Sequence, residues 1–305
     1  MEISIVIPLF NEEEGVQELL NRTTAALKKI SEHFEIIVVD DGSTDQTLDL
    51  LLKYQSGESR LKILQLSRNF GHQAAYTAGL EKASGNFVGL IDGDLQDPPE
   101  LLIDMYNKLA GGETDVVYGK RSNSLKLSRR SILSVWFHKL FRKVSGFSDL
   151  DNVGNFSLMN KKALHALLSF QENIRYLPGL RSFIGFKQDY VDYERSDRYK
   201  GASKMRMGKL IALSSDAIFS FSKIPIRICL YLGITGIIVF FLAGVYTLIA
   251  KMAGFALFGW SSTVLSIFFL GSIQLTFLGV IGEYVYRIYK ESQRRPLYLV
   301  KEYFK

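Results

Sequence analysis

Three short clusters carry the residues best suited to chemistry: Asp92-Gly93-Asp94 with Gln96 and Asp97 behind it, Asp40-Asp41 ahead of Gly42-Ser43-Thr44-Asp45, and Asn11-Glu12 just past Pro8. Two carboxylates two residues apart on a turn can aim at one hard divalent cation, Mg²⁺ or Mn²⁺. A cation so held can bridge a diphosphate and neutralise the charge that builds on it as it leaves. A D-x-D by itself is a weak signal, because acids also make turns and cap helices. Asp40-Asp41 strengthens it, as a second acidic pair able to reach ribose hydroxyls and a base edge, while Asp45 suits a helix start. Glu12 to Glu14 fit a helix start equally well, and Arg68-Asn69 fits an ordinary surface turn.

The elements around these clusters decide whether they meet. Short β-rich runs alternate with helical patterns: ISIVIP, then Glu13 to Lys29; EIIVVD, then Asp45 to Lys53; LKILQL, then Gln73 to Ala83; NFVGLID, then Pro99 to Leu109; and DVVYG. That alternation predicts βαβ units, hence a mostly parallel, Rossmann-like α/β sheet flanked by helices. Ligands of such sheets bind beyond the carboxyl ends of the strands, and each acidic cluster sits at a strand end.

Apolar residues make up 47% of the 305, but unevenly. Ile228 to Ala250 and Ser261 to Gly282 are uncharged stretches of about 23 and 22 residues, each long enough to span a bilayer as one half of a hairpin. Lys223 and Arg227 precede the first, Arg287, Lys290, Arg294 and Arg295 follow the second, and the link carries only Lys251, so both ends are expected in the cytosol. Two basic amphipathic helices are predicted as well, one over Leu125 to Ser145 and one after Lys204, for a bilayer surface or the face of the sheet. Met1 leads directly into ISIVIP with no basic leader, so no secretory signal is expected. The net charge of +6 concentrates around 120–143, 195–209 and the apolar stretches, which favours membrane lipid and phosphates over nucleic acid. The one cysteine, Cys229, excludes an internal disulfide.

IPLFNEE, VVDDGS, SRNFGHQAAYTAGL and DGDLQDPPE, in this order and at these separations, resemble family 2 glycosyltransferases of the GT-A fold. More narrowly the chain resembles bacterial polyprenyl-phosphate glycosyltransferases of the dolichol-phosphate mannose synthase group, through GKRSNSLKLSRRS, NVGNFSLMNK, YERSDRYKGASKM, FSFSKIPIRI and FLGVIGEYVYRIYKESQRRPLY. The resemblance implies a cytosolic GT-A catalytic domain over 1–203, an amphipathic juxtamembrane helix over 204–225, a transmembrane hairpin over 226–290 and a cytosolic tail over 291–305. It implies a multi-pass inner-membrane enzyme that passes one sugar, with inversion, from a nucleotide sugar, UDP-linked by expectation, to a polyprenyl phosphate. Pro8, Phe10, Glu12, Asp40, Asp41, Arg68, Arg198 and Lys204 would serve the nucleotide sugar. Asp92, Asp94 and Gln96 would hold Mg²⁺ or Mn²⁺ and the donor diphosphate. Arg121, Arg129, Arg130 and Ser134 would bind the acceptor phosphate.

One residue departs from the pattern: Asn155, in NVGNFSLMN, stands where that family often has Asp. A phosphate monoester has a second pKa of about 6 and is already largely dianionic, so it needs orientation more than deprotonation. Asn155 can supply that by hydrogen bonding, the alternative being reduced activity or an altered choice of sugar. A processive polysaccharide synthase would carry Q-x-x-R-W and more spans, which this sequence lacks. A transferase for a soluble acceptor would have no use for the hairpin, and a binding subunit with a decayed site has only Asn155 in its favour. Small residues in the spans, Gly233, Gly236 and Gly244, permit close helix packing within or between chains, leaving a homo-oligomer open.

Overall fold

In the computed structural model the residues described are 1–121, 153–170, 172, 175–194, 224–253 and 259–305. Apolar runs become strands where predicted: β1 (Ile3–Leu9), β2 (Phe34–Asp40), β3 (Leu61–Leu66), β4 (Phe87–Leu90) and β5 (Val116–Arg121). Every residue of β1 and β2 is buried, as expected of parallel strands covered on both faces. Three further strands, β6 (Val153–Asn160), β7 (Gln188–Tyr193) and β8 (Val300–Phe304), complete an eight-stranded sheet in the order β7-β5-β6-β4-β1-β2-β3-β8.

β4, β1, β2 and β3 run parallel, with Ile3 facing both Phe34 and Phe87 across the ladders. β6 inserts antiparallel between β4 and β5, pairing Leu90 with Ser157 and Lys120 with Val153. The start of β6 therefore lies on the same rim as the carboxyl ends of β1, β2, β4 and β5. β7 pairs parallel with β5 on the far side. β8 closes the opposite edge against β3, so the final residues form part of this unit.

Helices α1 (Val16–Lys28), α2 (Thr47–Gln55), α3 (His72–Lys82) and α4 (Leu102–Ala110) follow the first four strands. Ile3, Ile5, Ile7 and Leu9 alternate onto one face of β1, where they meet Leu19 and Leu20 of α1, Leu51 of α2 and Met105 of α4. The other face receives α3, against which α5 (Lys161–Leu168) packs. The short α6 (Leu177–Phe183) lies against β6.

The second compact unit, as far as it is described, consists of α7 (Ile224–Met252) and α8 (Trp260–Ser292). Both present apolar side chains outward, among them Ile238, Phe241, Leu275 and Leu278. Among the described residues one stretch, Phe269–Ser292, is long and apolar enough to cross a membrane by length and composition, and Tyr231–Ala243 is a shorter apolar one. The α8 helix continues past Gly282, where the apolar run ends, and carries an Arg287 to Glu283 pair at 2.8 Å.

Candidate active site

The loops beyond β1 and β2 are stitched into one surface. Asn11 sits at φ +55°, a left-handed conformation that asparagine tolerates. Its backbone N–H donates to Ser43 Oγ (3.0 Å), and its Oδ1 accepts from the Thr44 N–H (2.8 Å). The Glu12 N–H donates to Thr47 Oγ1 (2.9 Å), while Asp45 Oδ1 accepts from the Thr47 N–H (3.0 Å) and closes the first turn of α2.

Asp41 is 3% exposed, and both of its oxygens are engaged by the next loop: Oδ1 accepts from the Phe70 N–H (2.7 Å) and Oδ2 from the Gly71 N–H (2.9 Å). Its first duty is thus to hold the loop that opens α3. Asp40 is fully buried; Oδ1 accepts from the Ser43 N–H (3.1 Å), and Oδ2 has no hydrogen-bond partner among the described residues. Burial pushes both carboxyls above the usual carboxylate range, against the pull of those N–H donors. A carboxyl raised by folding stabilises the fold fully only below its unfolded pKa, and that contribution is lost as pH rises through the folded value. Asp40→Asn is accordingly expected to melt ~2–4 °C above the wild type at neutral pH, with the gap closing on acidification below the carboxylate range, as read by thermal scans across pH.

The run IDGDLQD follows β4, the Ile91 N–H donating to Val6 O (3.1 Å) so that Asp92 leaves the sheet in line with β1. Asp92 Oδ1 accepts from the Tyr76 hydroxyl (2.8 Å) and faces His72 Nε2 at 2.9 Å. Burial alone would raise the Asp92 carboxyl, but His72, then Tyr76 and the charge of Arg121, outweigh it and hold the group well below the usual range. Burial opposes the charge on half-exposed His72, yet Asp92 raises its pKa. His72 and Tyr76 are four residues apart on one face of α3, which is how a single helix start supplies both partners. Beyond Asp92, Asp94 Oδ1 accepts from the Gln96 N–H (3.2 Å), and Leu95 takes φ +58° to make that turn.

Arg121, at the end of β5, reaches the same region. Its Nε–H donates to the Tyr193 hydroxyl (3.3 Å), its Nη2 lies 3.9 Å from Asp97 Oδ1, and the Tyr193 hydroxyl donates to Asp97 in turn. Removal from water works against the Arg121 charge, but Tyr193, Asp97 and Asp92 secure it. Asn155 is at the start of β6, its Oδ1 accepting from Gln73 Nε2 (3.4 Å). Gln73 Oε1 accepts from the Leu177 N–H (3.0 Å), which ties α3 to α6 behind the rim.

The rim thus gathers Pro8, Phe10, Glu12, Asp40, Asp41, Asp92, Asp94, Gln96, Arg121 and Asn155 from strand ends and the loops beyond them at one end of the sheet. Arg68 is exposed, its guanidinium 4.2 Å from the Phe70 ring centroid. Arg129, Arg130, Ser134, Arg198 and Lys204 lie outside the described residues, as do both predicted amphipathic helices. His72, Gln73 and Tyr76 lie within SRNFGHQAAYTAGL and Tyr193 opens YERSDRYKGASKM, but the motifs assign none of them a role, and Arg181 lies outside every motif. His72 and Tyr76 could have been found as an i, i+4 pair of polar rings in a helix opening beside an acidic strand end.

The family model described as Glycosyl transferase family 2 matches residues 4–168, more than half of the chain and nearly all of this rim. The chain belongs to glycosyl transferase family 2. Its mostly parallel α/β sheet is GT-A-like. An uncharacterized glycosyltransferase of Synechocystis is 38% identical over 304 residues, covering 99% of this chain and 95% of that one. The bactoprenol glucosyl transferase of Shigella phage SfV is 36% identical over 99% of this chain and 98% of its own, and the prophage bactoprenol glucosyl transferase homolog of Escherichia coli 35% over 99% of each. As a family 2 member the chain is a glycosyltransferase.

The donor set Asp92 and Asp94 fits a hard divalent cation: Asp92 is strongly held in its anionic form, and both groups offer oxygen. Among the described residues no group of three or more His, Cys, Asp or Glu side chains forms a complete protein cage. Mg²⁺ held largely by substrate phosphates needs only one or two carboxylates.

Proposed function

We propose that this glycosyltransferase passes a single sugar, with inversion, from a UDP-linked donor to a polyprenyl phosphate, giving a lipid-linked monosaccharide. The observation that carries this is the end-to-end similarity to proteins named bactoprenol glucosyl transferase, which extends through α7 and α8 as well as the rim. The long apolar stretches of α7 and of the first two-thirds of α8 suit a chain that must reach a lipid acceptor.

In this mechanism the stitched loops after β1 and β2 seat the nucleoside, with Asp41 fixing the loop that carries Arg68. Asp92 and Asp94, with Gln96, would hold Mg²⁺ or Mn²⁺, which would supply positive charge to offset that on the departing diphosphate. Arg121 receives the acceptor phosphate, in company with Arg129, Arg130 and Ser134 by family resemblance. That phosphate is already dianionic at neutral pH, so the chain has to aim it at the anomeric carbon, not deprotonate it. Asn155, held by Gln73, is placed to orient a sugar hydroxyl or phosphate oxygen without adding a negative charge opposite an anionic nucleophile. We read α7 and α8 as a membrane hairpin spanning near 228–250 and 261–282, with the catalytic unit and both termini cytosolic, because basic residues flank its ends and only Lys251 lies in the link.

Purified full-length protein in detergent, given polyprenyl phosphate, Mg²⁺ or Mn²⁺ and a panel of labelled UDP-sugars, is expected to move one sugar per lipid into the organic phase. Glucose stands first in the panel because of the relatives' names. Label that stays aqueous with every sugar, or that extends into a polymer, sinks the proposal.

A further inference from the structure

Arg181 is an unusual charge. It is 2% exposed, and among the described residues no carboxylate lies within ion-pair distance of it. Its Nη2–H donates to Gly154 O (3.1 Å) and its Nη1–H to Asn155 O (3.4 Å), while Nε–H has no hydrogen-bond partner among the described residues. The guanidinium stands 5.4 Å from the Tyr118 ring centroid. Burial pulls its pKa down to about 10, the loss of water being offset only in part by the carbonyls it donates to. A buried cation without an anion is costly, and an apolar side chain would fill the same space with a smaller penalty. The charge needs a reason.

What it grips supplies one. Gly154 and Asn155 open β6 on the active rim. On one side, Asn155 Oδ1 is fixed by Gln73. On the other, a Cβ at Gly154 would lie 2.9 Å from Arg121 Nη2, so the bare glycine backbone is what lets Arg121 lie against the strand. Both carbonyls are drawn toward Arg181. The Gln188 side chain donates to Arg181 O (2.9 Å), anchoring the end of α6 to β7.

We propose that Arg181 is a positioning residue for sugar transfer: its two-pronged hold on the Gly154 and Asn155 carbonyls sets the Asn155 side chain and the Arg121 guanidinium where acceptor phosphate and donor sugar meet. The role rests on the proposed function. It requires the fork of a guanidinium, because a lysine ammonium is a point charge and does not span two successive carbonyls in this fixed geometry.

The test uses full-length Arg181→Lys and Arg181→Ala in detergent, with Tm, UDP affinity in Mn²⁺, and kcat and KM for polyprenyl phosphate measured side by side. Arg181→Lys is expected to keep its UDP affinity within ~3-fold while kcat falls ~30-fold, since misplaced reacting groups cost rate more than nucleotide binding. Added ethylguanidinium is expected to restore part of kcat to Arg181→Ala and none to Arg181→Lys, whose pocket is filled. An Arg181→Lys enzyme with wild-type kcat overturns the role, as does activity lost only in step with the folded fraction. If Arg181→Ala does not fold, Arg181→Lys decides alone. Wild-type protein that moves no sugar to lipid overturns the proposed function, whereas wild-type transfer beside an unimpaired Arg181→Lys overturns the Arg181 role only.

Discussion

Asp94→Ala is expected to lower sugar transfer by about 10³-fold, roughly 4 kcal/mol of transition-state stabilisation, with the fold intact. Asp94 stands on the loop beyond β4, where its carboxylate accepts from the Gln96 N–H at 3.2 Å, so truncation disturbs a turn and leaves the core untouched. The loss should be concentrated where charge develops on the leaving diphosphate. UDP binding should consequently tighten on adding Mn²⁺ for the wild type and respond little for the variant, which calorimetry reads without any turnover. Asp92→Asn should cost a comparable factor in rate. It should also shift Tm, because Asp92 anchors His72 (2.9 Å) and the Tyr76 hydroxyl (2.8 Å) behind the rim. An Asp94→Ala enzyme that transfers sugar at the wild-type rate, or whose nucleotide affinity still follows Mn²⁺, removes the metal assignment.

The parts of this site legible in sequence are those governed by local rules. β1, β2 and β4 read as mostly apolar runs because parallel strands are buried on both faces, and the acidic clusters stand at their ends. What hid the rest is non-local pairing. Nothing local in NVGNFSLMN says that it runs antiparallel between β4 and β5, yet that reversal is what puts Asn155 on the rim with Asp92 and Arg121. Arg181 is hidden for the same reason: in LPGLRSF it reads as a surface arginine, and only the packing of α6 on β6 buries it. β8 is short and carries Lys301 and Glu302, as suits an edge strand, so it lacks the apolar run that marked the others. The α8 helix outlasts its apolar stretch because helix geometry has no reason to stop where hydrophobicity does; Glu283 and Arg287 pair across one turn and continue it.

Gly42 shows how a residue legible as a turn carries more than a turn, and Gly42→Ala is expected to raise the donor KM at least ~10-fold while lowering Tm by ~5–10 °C. Two costs add. At φ +70° an alanine is strained by ~1–2 kcal/mol. Its Cβ would also stand 2.6 Å from Arg68 C, 2.8 Å from Arg68 Cα and 2.9 Å from Asn69 N, all backbone atoms that cannot swing aside. The loop from Arg68 to Gly71 must move, and that loop is what Asp41 holds through the Phe70 and Gly71 N–H groups, charge-assisted bonds worth ~1.5–3 kcal/mol each. Displacement then passes along the chain, because His72 follows Gly71 directly and pairs with Asp92. Gly15→Ala is the matched control: Gly15 precedes α1 at φ −112°, no atom lies within 4 Å of the place its Cβ would take, and the change should leave KM and Tm alone. If the two variants behave alike, the loop from Arg68 to Gly71 does not govern donor binding, and the nucleotide pocket must be sought away from Asp41.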